Sequence, residues 1–367
     1  MSRIVISGYY GSSNAGDEAM LAAMLQVLGD LDAKLQVTVI SSSPQQTAEC
    51  HGVQAVGWLD MPAIWKALRQ ADLLISGGGS LLQNVTSRRS LYYYLFIIAM
   101  AHLAGTKVML YAQGIGPIIG SLAEHVMRFI VNRVNLITVR DKGSLDELAR
   151  LGITRPHIEC TADPVLGIHP TGREAGRAIL THYNADGARP VLGISVRDWC
   201  GWTHYKQVLA EVADTVIREQ GARVVFLPMQ YPEDVHAAES VAALMQERES
   251  GLCTVLRDEY NTSEFLSLVG NMDLMLGVRL HALIFAGVMG VPMIGISYDP
   301  KIDRFLDSIG EQPVGNLKDV EAHELMVELR RKWDDRKGFR ERNAALLADL
   351  RTRASRNAEL AFGLIEG

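Results

Sequence analysis

The chain has 367 residues, 48% hydrophobic and 21% charged, with 36 basic against 42 acidic side chains and a formal charge of −6. This is a core-forming composition, long enough for two domains at about 100–200 residues each. The acidic balance excludes nucleic acid as a bulk electrostatic partner, so an anionic ligand must be gripped by local cations.

Short apolar runs alternate with helical-period segments from the first residues onward, the pattern of parallel sheets with crossover helices. In the first half the strands are read at RIVISG, LQVTVIS, VQAVGW, DLLISG, KVMLYAQG and LITVR. Their β-branched content and lack of polar alternation mark strands buried on both faces. Helices such as AMLAAMLQVLGDL and PAIWKALRQA fit between them. After TADPVLGIHP the stretch TGREAGRAILTHYNADGARP reads as a helix-containing connector. A second strand series follows: PVLGISVR, ARVVFLPM, CTVLRD, DLMLGV and VPMIGIS, then a charged helical tail. The expected fold is α/β and GT-B-like: two Rossmann-like domains facing a central cleft, with a C-terminal helical tail. The boundaries fall at residues 1–170, a connector 171–189, 190–330 and a tail 331–367.

In open parallel sheets, ligands bind outside the carboxyl ends of the strands, so residues just after strands carry the most weight. The first such loop, GYYGSSNAGDEAM, places Asp17 and Glu18 at the start of a helix. They serve either as helix-start acids with Asn14 as the cap, or, for Asp17, as acceptor of a proton from a substrate hydroxyl. The turn GGGSLLQ, with Gly78 at its centre, offers backbone N–H groups to an anion or a polar sugar face. In LITVRDKGSLDEL, Arg140 follows a strand and reads as an anion-binding residue, with Ser144 as the cap of the next helix. Arg197 in GISVRDW repeats the strand-then-arginine pattern.

The densest signal is GVRLHALIFAGVMGVPMIGISYDPK, residues 277–301. Gly277 is expected to allow a sharp turn, which puts Arg279 and His281 at the N-terminus of a buried helix. The dipole and free N–H groups there favour an anion, and a guanidinium adds a fork suited to phosphate or carboxylate. Lys301 follows the next strand. Each has a structural alternative: a capping role for His281, a surface pair with Asp299 or Asp303 for Lys301.

The four cysteines form no CxxC pair, which fits a reducing cytoplasm rather than a disulfide framework. No signal peptide is read at the start and no transmembrane span anywhere. The segment LYYYLFIIAMA (residues 91–101) follows Arg88 and Arg89. It is read either as a helix buried against a sheet or as one that docks on an anionic membrane surface. There is no HExxH, no Cys/His ligand cluster and no GxSxG elbow. The string Asp30–Leu31–Asp32 lies at the far end of the sheet and reads as a surface turn, so no metal and no other cofactor is expected.

Taken in order, GYYGSSNAGDEAML, SGGGSLLQ, AQGIGP, TVRDKGSLDEL, TADPV, ISVRDW and the 277–301 stretch resemble the polysaccharide pyruvyl transferase family. Within it the chain is most similar to the bacterial enzymes that modify a secondary cell wall polymer. The resemblance implies phosphoenolpyruvate as co-substrate and a 4,6-linked pyruvate ketal as product. It further implies N-acetylmannosamine on a polyprenyl-linked precursor as acceptor, and a cytoplasmic location with peripheral contact at the inner face of the membrane. The first domain becomes the acceptor side and the second the donor side. By motif position Arg140, His281 and Lys301 match donor-binding or catalytic residues, and Arg279 belongs to the same RLH element. Asp17 is expected to orient or deprotonate the acceptor. Two rival readings stay open: a nucleotide-sugar glycosyltransferase or epimerase, and a non-catalytic glycan-binding module.

Overall fold

A computed structural model describes residues 2–85 and 87–366. The chain divides into two compact units, each discontinuous in sequence. Unit 1 comprises residues 1–12, 17–168 and 350–367, and unit 2 comprises residues 13–16 and 169–349.

Unit 1 begins with β1 (Arg3–Tyr10), α1 (Ala15–Leu31), β2 (Gln36–Ser41), α2 (Pro44–His51), β3 (Gln54–Gly57), α3 (Met61–Gln70) and β4 (Leu73–Gly77). It continues with α4 (Arg88–Ala104), β5 (Lys107–Gln113), α5 (Ser121–Val131), β6 (Leu136–Val139), α6 (Lys142–Arg150) and β7 (His157–Cys160). The seven strands form a parallel sheet in the order β3-β2-β1-β4-β5-β6-β7.

Alternate residues of each strand face opposite layers. Val5, Leu74, Val108 and Ile137 pack under α3, α4 and α5. Ile6, Ile75 and Met109 face α1 and, from the chain's end, Ala358 and Ala361. Each such buried aliphatic side chain contributes about 1.5–3 kcal/mol.

Unit 2 contains α7 (Glu174–His182), β8 (Val191–Ser195), α8 (His204–Gln220), β9 (Arg223–Phe226), α9 (Glu233–Ala242), β10 (Cys253–Val255) and α10 (Thr262–Gly270). Then come β11 (Leu274–Gly277), α11 (Leu280–Met289), β12 (Met293–Gly295), α12 (Pro300–Ser308), α13 (Ala322–Asp334) and α14 (Arg336–Glu366), whose last part belongs to unit 1. Its five strands are parallel, in the order β10-β9-β8-β11-β12. One face packs on α8, α9 and α13 through residues such as Tyr205, Leu209 and Trp333. In unit 2, α7 packs against α10, with the Gly176 N–H donating to Ser267 Oγ at 2.7 Å. A side chain at Gly176 would collide with the Ser267 backbone.

Every strand expected from the sequence is present, and β7 is one more. Its segment HIEC has no apolar run, because an edge strand with a half-exposed face lacks the signal of a buried one. Two local expectations are corrected. The cap of α6 is Asp141, whose carboxylate accepts from the Ser144 N–H (2.8 Å) and hydroxyl (3.1 Å), while Ser144 Oγ accepts from the Ile115 N–H at 3.0 Å. Gly277 does not adopt a positive φ; it is required by space, since a Cβ there would stand 2.6 Å from Leu283 Cδ2.

Segment 91–101 lies in α4, which is amphipathic in an unusual sense. Leu91, Leu95 and Ile98 are buried against the sheet, whereas Tyr92 and Phe96 point outward. Among the described residues no helix is long and apolar enough to cross a membrane.

Candidate active site

Each sheet has a topological switch point where the strand order reverses, β1 beside β4 in unit 1 and β8 beside β11 in unit 2. Crevices open at such points because the connections leave in opposite directions. The candidate residues follow these strands or their neighbours: Asp17, Glu18, Gly78 and Arg140 in unit 1, and Arg197, Arg279, His281 and Lys301 in unit 2.

Asn14 Oδ1 accepts from the Gly16 N–H at 3.0 Å in the unit 2 segment that enters α1, and in unit 1 Asp17 falls in the first turn of that helix. Glu18 ties down the preceding loop: Oε1 accepts from the Gly11 N–H at 2.7 Å and Oε2 lies 3.3 Å from His51 Nε2. Gly78 and Gly79 both take positive φ, +66° and +71°, a geometry that glycine adopts without strain. The Gly78 N–H donates to the Tyr111 carbonyl at 3.1 Å, so that donor is not offered to an anion. The turn is also held by Tyr10, whose hydroxyl donates to Gly77 O at 2.9 Å. Burial first, and the nearby Asp17 charge second, hold the Tyr10 phenol well above its ordinary value, so it stays a neutral donor. Asp17 Oδ1 would lie 3.3 Å from a Cβ at Gly79, which places the carboxylate against the glycine turn.

Arg140 leaves β6 almost buried, its side chain 6% exposed. Nη1–H donates to Asp163 Oδ2 at 2.9 Å and Nη2–H to Ser80 Oγ at 3.1 Å, while Asp141 stands 3.9 Å from Nε. The second oxygen of Asp163 accepts from the Val165 N–H. Gly114 forms the floor beneath this arginine: a Cβ there would come 2.9 Å from Nη2 and 2.7 Å from Ser80 Oγ.

In unit 2, Arg279 precedes α11 and forks onto Asp234, a carboxylate 1% exposed. Nε–H donates to Oδ2 at 2.9 Å, Nη2–H donates to Oδ1, and Nη2 also reaches Gln230 Oε1 at 3.3 Å. Asp234 accepts in addition from the N–H groups of Met229 and Gln230. His281 follows in the first turn of α11. Its imidazole lies directly against Gly16, where a Cβ would stand 2.2 Å from Nδ1. The segment carrying Gly16 is fixed by Ala15 N–H donating to Met229 O at 2.8 Å and Tyr231 N–H to Ser13 O at 3.1 Å.

Arg197 follows β8 and sits between two rings, 4.7 Å from the Trp199 centroid and 5.0 Å from that of Tyr298. Its Nη1–H donates to the Tyr298 hydroxyl at 2.7 Å. Lys301 begins α12, and its ammonium lies 3.2 Å from Asp299, the cap of that helix. Within unit 2, therefore, Arg197 and Lys301 both attach to the loop after β12, and Arg279 and His281 to the start of α11.

Sequence reasoning missed the partners. Asp163, Ser80, Gly16 and Gly114 stand in the motifs TADPV, SGGGSLLQ, GYYGSSNAGDEAML and AQGIGP without a role being assigned to them, and Asp234 carries no local signal. Their roles come from neighbours distant in sequence, 45 positions for Asp234 and Arg279 and 60 for Ser80 and Arg140.

Comparison with known proteins places these residues in context. A family model described as polysaccharide pyruvyl transferase matches residues 14–300. The amylovoran biosynthesis protein AmsJ of Erwinia amylovora is 25% identical over 258 residues, 66% of this chain. The aligned part spans 60% of that relative's own length. Among solved structures, a glycosyltransferase from Rickettsia africae matches with a TM-score of 0.65 at 9% identity, covering 100% of this chain and 98% of that one. HepE from Anabaena, solved with UDP-glucose, matches with a TM-score of 0.63 at 11% identity, covering 97% and 95%. At such identities the likeness establishes the fold, an α/β GT-B-like architecture with two parallel sheets. With the family model spanning most of its length, the chain belongs to the polysaccharide pyruvyl transferase family.

Proposed function

We propose that the protein transfers a pyruvyl group from phosphoenolpyruvate to a sugar of a polysaccharide precursor, forming a 4,6-linked ketal and releasing phosphate. An N-acetylmannosamine residue of a polyprenyl-linked cell wall precursor is the acceptor this reading favours. The observation that carries it is the family match over residues 14–300, which includes every candidate except Lys301, one residue beyond.

Phosphoenolpyruvate carries a phosphate and a carboxylate, and charge-assisted hydrogen bonds to each contribute about 1.5–3 kcal/mol. Each unit offers a candidate cation for it, Arg140 in unit 1 and Lys301 in unit 2. Arg279, with Nε and Nη2 committed to Asp234 and Gln230, contributes through Nη1 and by fixing the start of α11. His281 acts as general acid and base. Its proton goes to the methylene carbon of the donor, leaving the adjacent carbon oxocarbenium-like. One sugar hydroxyl attacks that carbon and returns its proton to His281. Phosphate then leaves and the second hydroxyl closes the ketal, its proton ending on phosphate. Asp17 orients the acceptor or takes a proton from it.

Thermal unfolding with phosphoenolpyruvate and with a panel of nucleotide sugars tests the donor. A ligand at about 100 times its Kd adds about 2.7 kcal/mol to the native state. Stabilisation by phosphoenolpyruvate that is lost in Arg140→Ala supports the reading, and stabilisation by a nucleotide sugar alone overturns it. With an acceptor in hand, His281→Ala is expected to lower turnover about 10²–10⁴-fold; near-normal turnover removes His281 from the mechanism.

A further inference from the structure

The outer surface of α3, α4 and α5 in unit 1 is not used by the chemistry above, and its composition is unlike the rest of the molecule. Nine of the fifteen large apolar side chains exposed among the described residues fall between positions 58 and 129. Tyr92, Phe96 and Leu103 of α4 recur at helical spacing and form one outward stripe, with Leu103 80% exposed. Ile119, Leu122 and Phe129 lie at and along α5, exposed by 62%, 70% and 62%. The three helices cover the same face of the sheet. Trp58, half exposed, joins α4 through an edge contact with Tyr93 at 5.6 Å, and Tyr93 donates its hydroxyl to Trp58 O.

Charge on these helices is as one-sided as the hydrophobicity. Lys66, Arg69, Arg88, Arg89 and Arg128 are all exposed, and none has an ion-pair partner among the described residues. The one acid on α3, α4 and α5 is Glu124, which is paired with Arg150 at 2.8 Å. Arg133 adds a guanidinium 3.7 Å from the Phe129 ring centroid. Elsewhere on this acidic protein many surface arginines meet a carboxylate: Arg257 with Glu239, Arg330 with Glu219, Arg356 with Glu359. Arg88 precedes Tyr92 by one helical turn and so heads the same stripe as Phe96.

Exposed apolar side chains ringed by unpaired cations match an anionic bilayer surface. Aromatic and aliphatic groups enter the headgroup–acyl boundary while arginine and lysine meet lipid phosphates. A protein interface of this character would deplete charge at its centre and pair it at the rim; here the cations head and flank the apolar stripe unpaired. We infer that the α3–α4–α5 face of unit 1 is a docking surface for an anionic lipid bilayer. This inference does not depend on the identity of the donor or acceptor.

Co-sedimentation of the intact protein with vesicles of phosphatidylcholine, with and without phosphatidylglycerol, tests it. Binding to the anionic vesicles alone, weakening as salt is raised, is the expected result. Reversing Arg88 and Arg89 to Glu is expected to weaken it at least about tenfold, since each basic residue at such a surface adds several-fold. The pair Phe96→Ser and Leu103→Ser should weaken it to a similar degree, with melting temperature unchanged because both side chains are exposed. Absence of binding to anionic vesicles, or wild-type binding by both variants, overturns the inference. So does a concentration-dependent dimer that the Phe96→Ser and Leu103→Ser protein no longer forms, which would make this face a contact between copies.

Discussion

Each unit holds an arginine just past a strand with a buried aspartate, and the two pairs differ in how much of the guanidinium they consume. In unit 2, Asp234 takes both Nε and Nη2 of Arg279 and also binds two backbone N–H groups, so arginine, loop and helix start are locked together. In unit 1, Asp163 takes only Nη1 of Arg140, and a neutral serine takes Nη2. The first pair is a bidentate fork, and in the second the aspartate holds one nitrogen while Ser80 and the more distant Asp141 flank the other two. Two arginines that look equivalent in sequence are therefore held in different ways.

Removing each arginine is the strongest way to break this comparison. Arg279→Ala leaves Asp234 buried without its cation and is expected to cost about 3–5 kcal/mol of stability. Arg140→Ala removes one charged hydrogen bond from Asp163 and should cost about 1.5–3 kcal/mol. Urea unfolding of the two variants decides it; equal losses would mean that the fork geometry does not distinguish the pairs.

The glycines beneath the two sites sharpen the comparison at intermediate size. Gly16→Ala forces a methyl group against the His281 ring, 2.2 Å from Nδ1, although alanine suits a helix start better than glycine. Turnover should fall about 10–100-fold with melting temperature unchanged or raised, since displacement of a reacting group by about 1 Å has that scale of effect. Gly114→Ala meets Ser80 Oγ and the tip of Arg140, which can swing aside, so a several-fold rise in donor KM with little change in kcat is expected. Wild-type kinetics for Gly16→Ala would detach the close approach from catalysis.

The smallest effect comes from a pair that is partly exposed, Arg150 and Glu147. Hydrogen bonds from Arg150 chiefly, then the Ile118 N–H, hold the Glu147 carboxyl below its usual value against the opposing pull of burial. A depressed folded-state pKa stabilises above the unfolded value, near about 4.3 for Glu, and that stability is lost as pH falls through the folded pKa. Glu147→Gln should therefore reduce stability at neutral pH by less than about 1 kcal/mol, with the difference from wild type vanishing in acid. A difference that persisted unchanged to low pH would assign the effect to packing.

Much of this molecule was legible in its sequence because buried parallel strands leave apolar runs, and the residues after them map to one end of a sheet. Arg140, Arg279, His281 and Lys301 were singled out as candidates that way. What remained hidden was set by tertiary proximity: the order of the strands, the choice of Asp234 over nearer acids for Arg279, and the glycine against His281. The outward stripe of α4 was hidden for a different reason. A helix apolar on both faces gives no periodic contrast, so the inner and outer residues of LYYYLFIIAMA could not be told apart.

Residues 13–16 are counted with unit 2 and 350–367 with unit 1, so neither unit is a contiguous stretch of polypeptide. Gene segments cut between residues 168 and 169 would not encode exchangeable modules. A coding segment for residues 169–349 lacks the glycine that abuts its own histidine, and one for residues 1–168 lacks the Asn357 amide that accepts the Thr161 hydroxyl at 2.8 Å. A swap of halves at that boundary would separate residues that pack together within each unit.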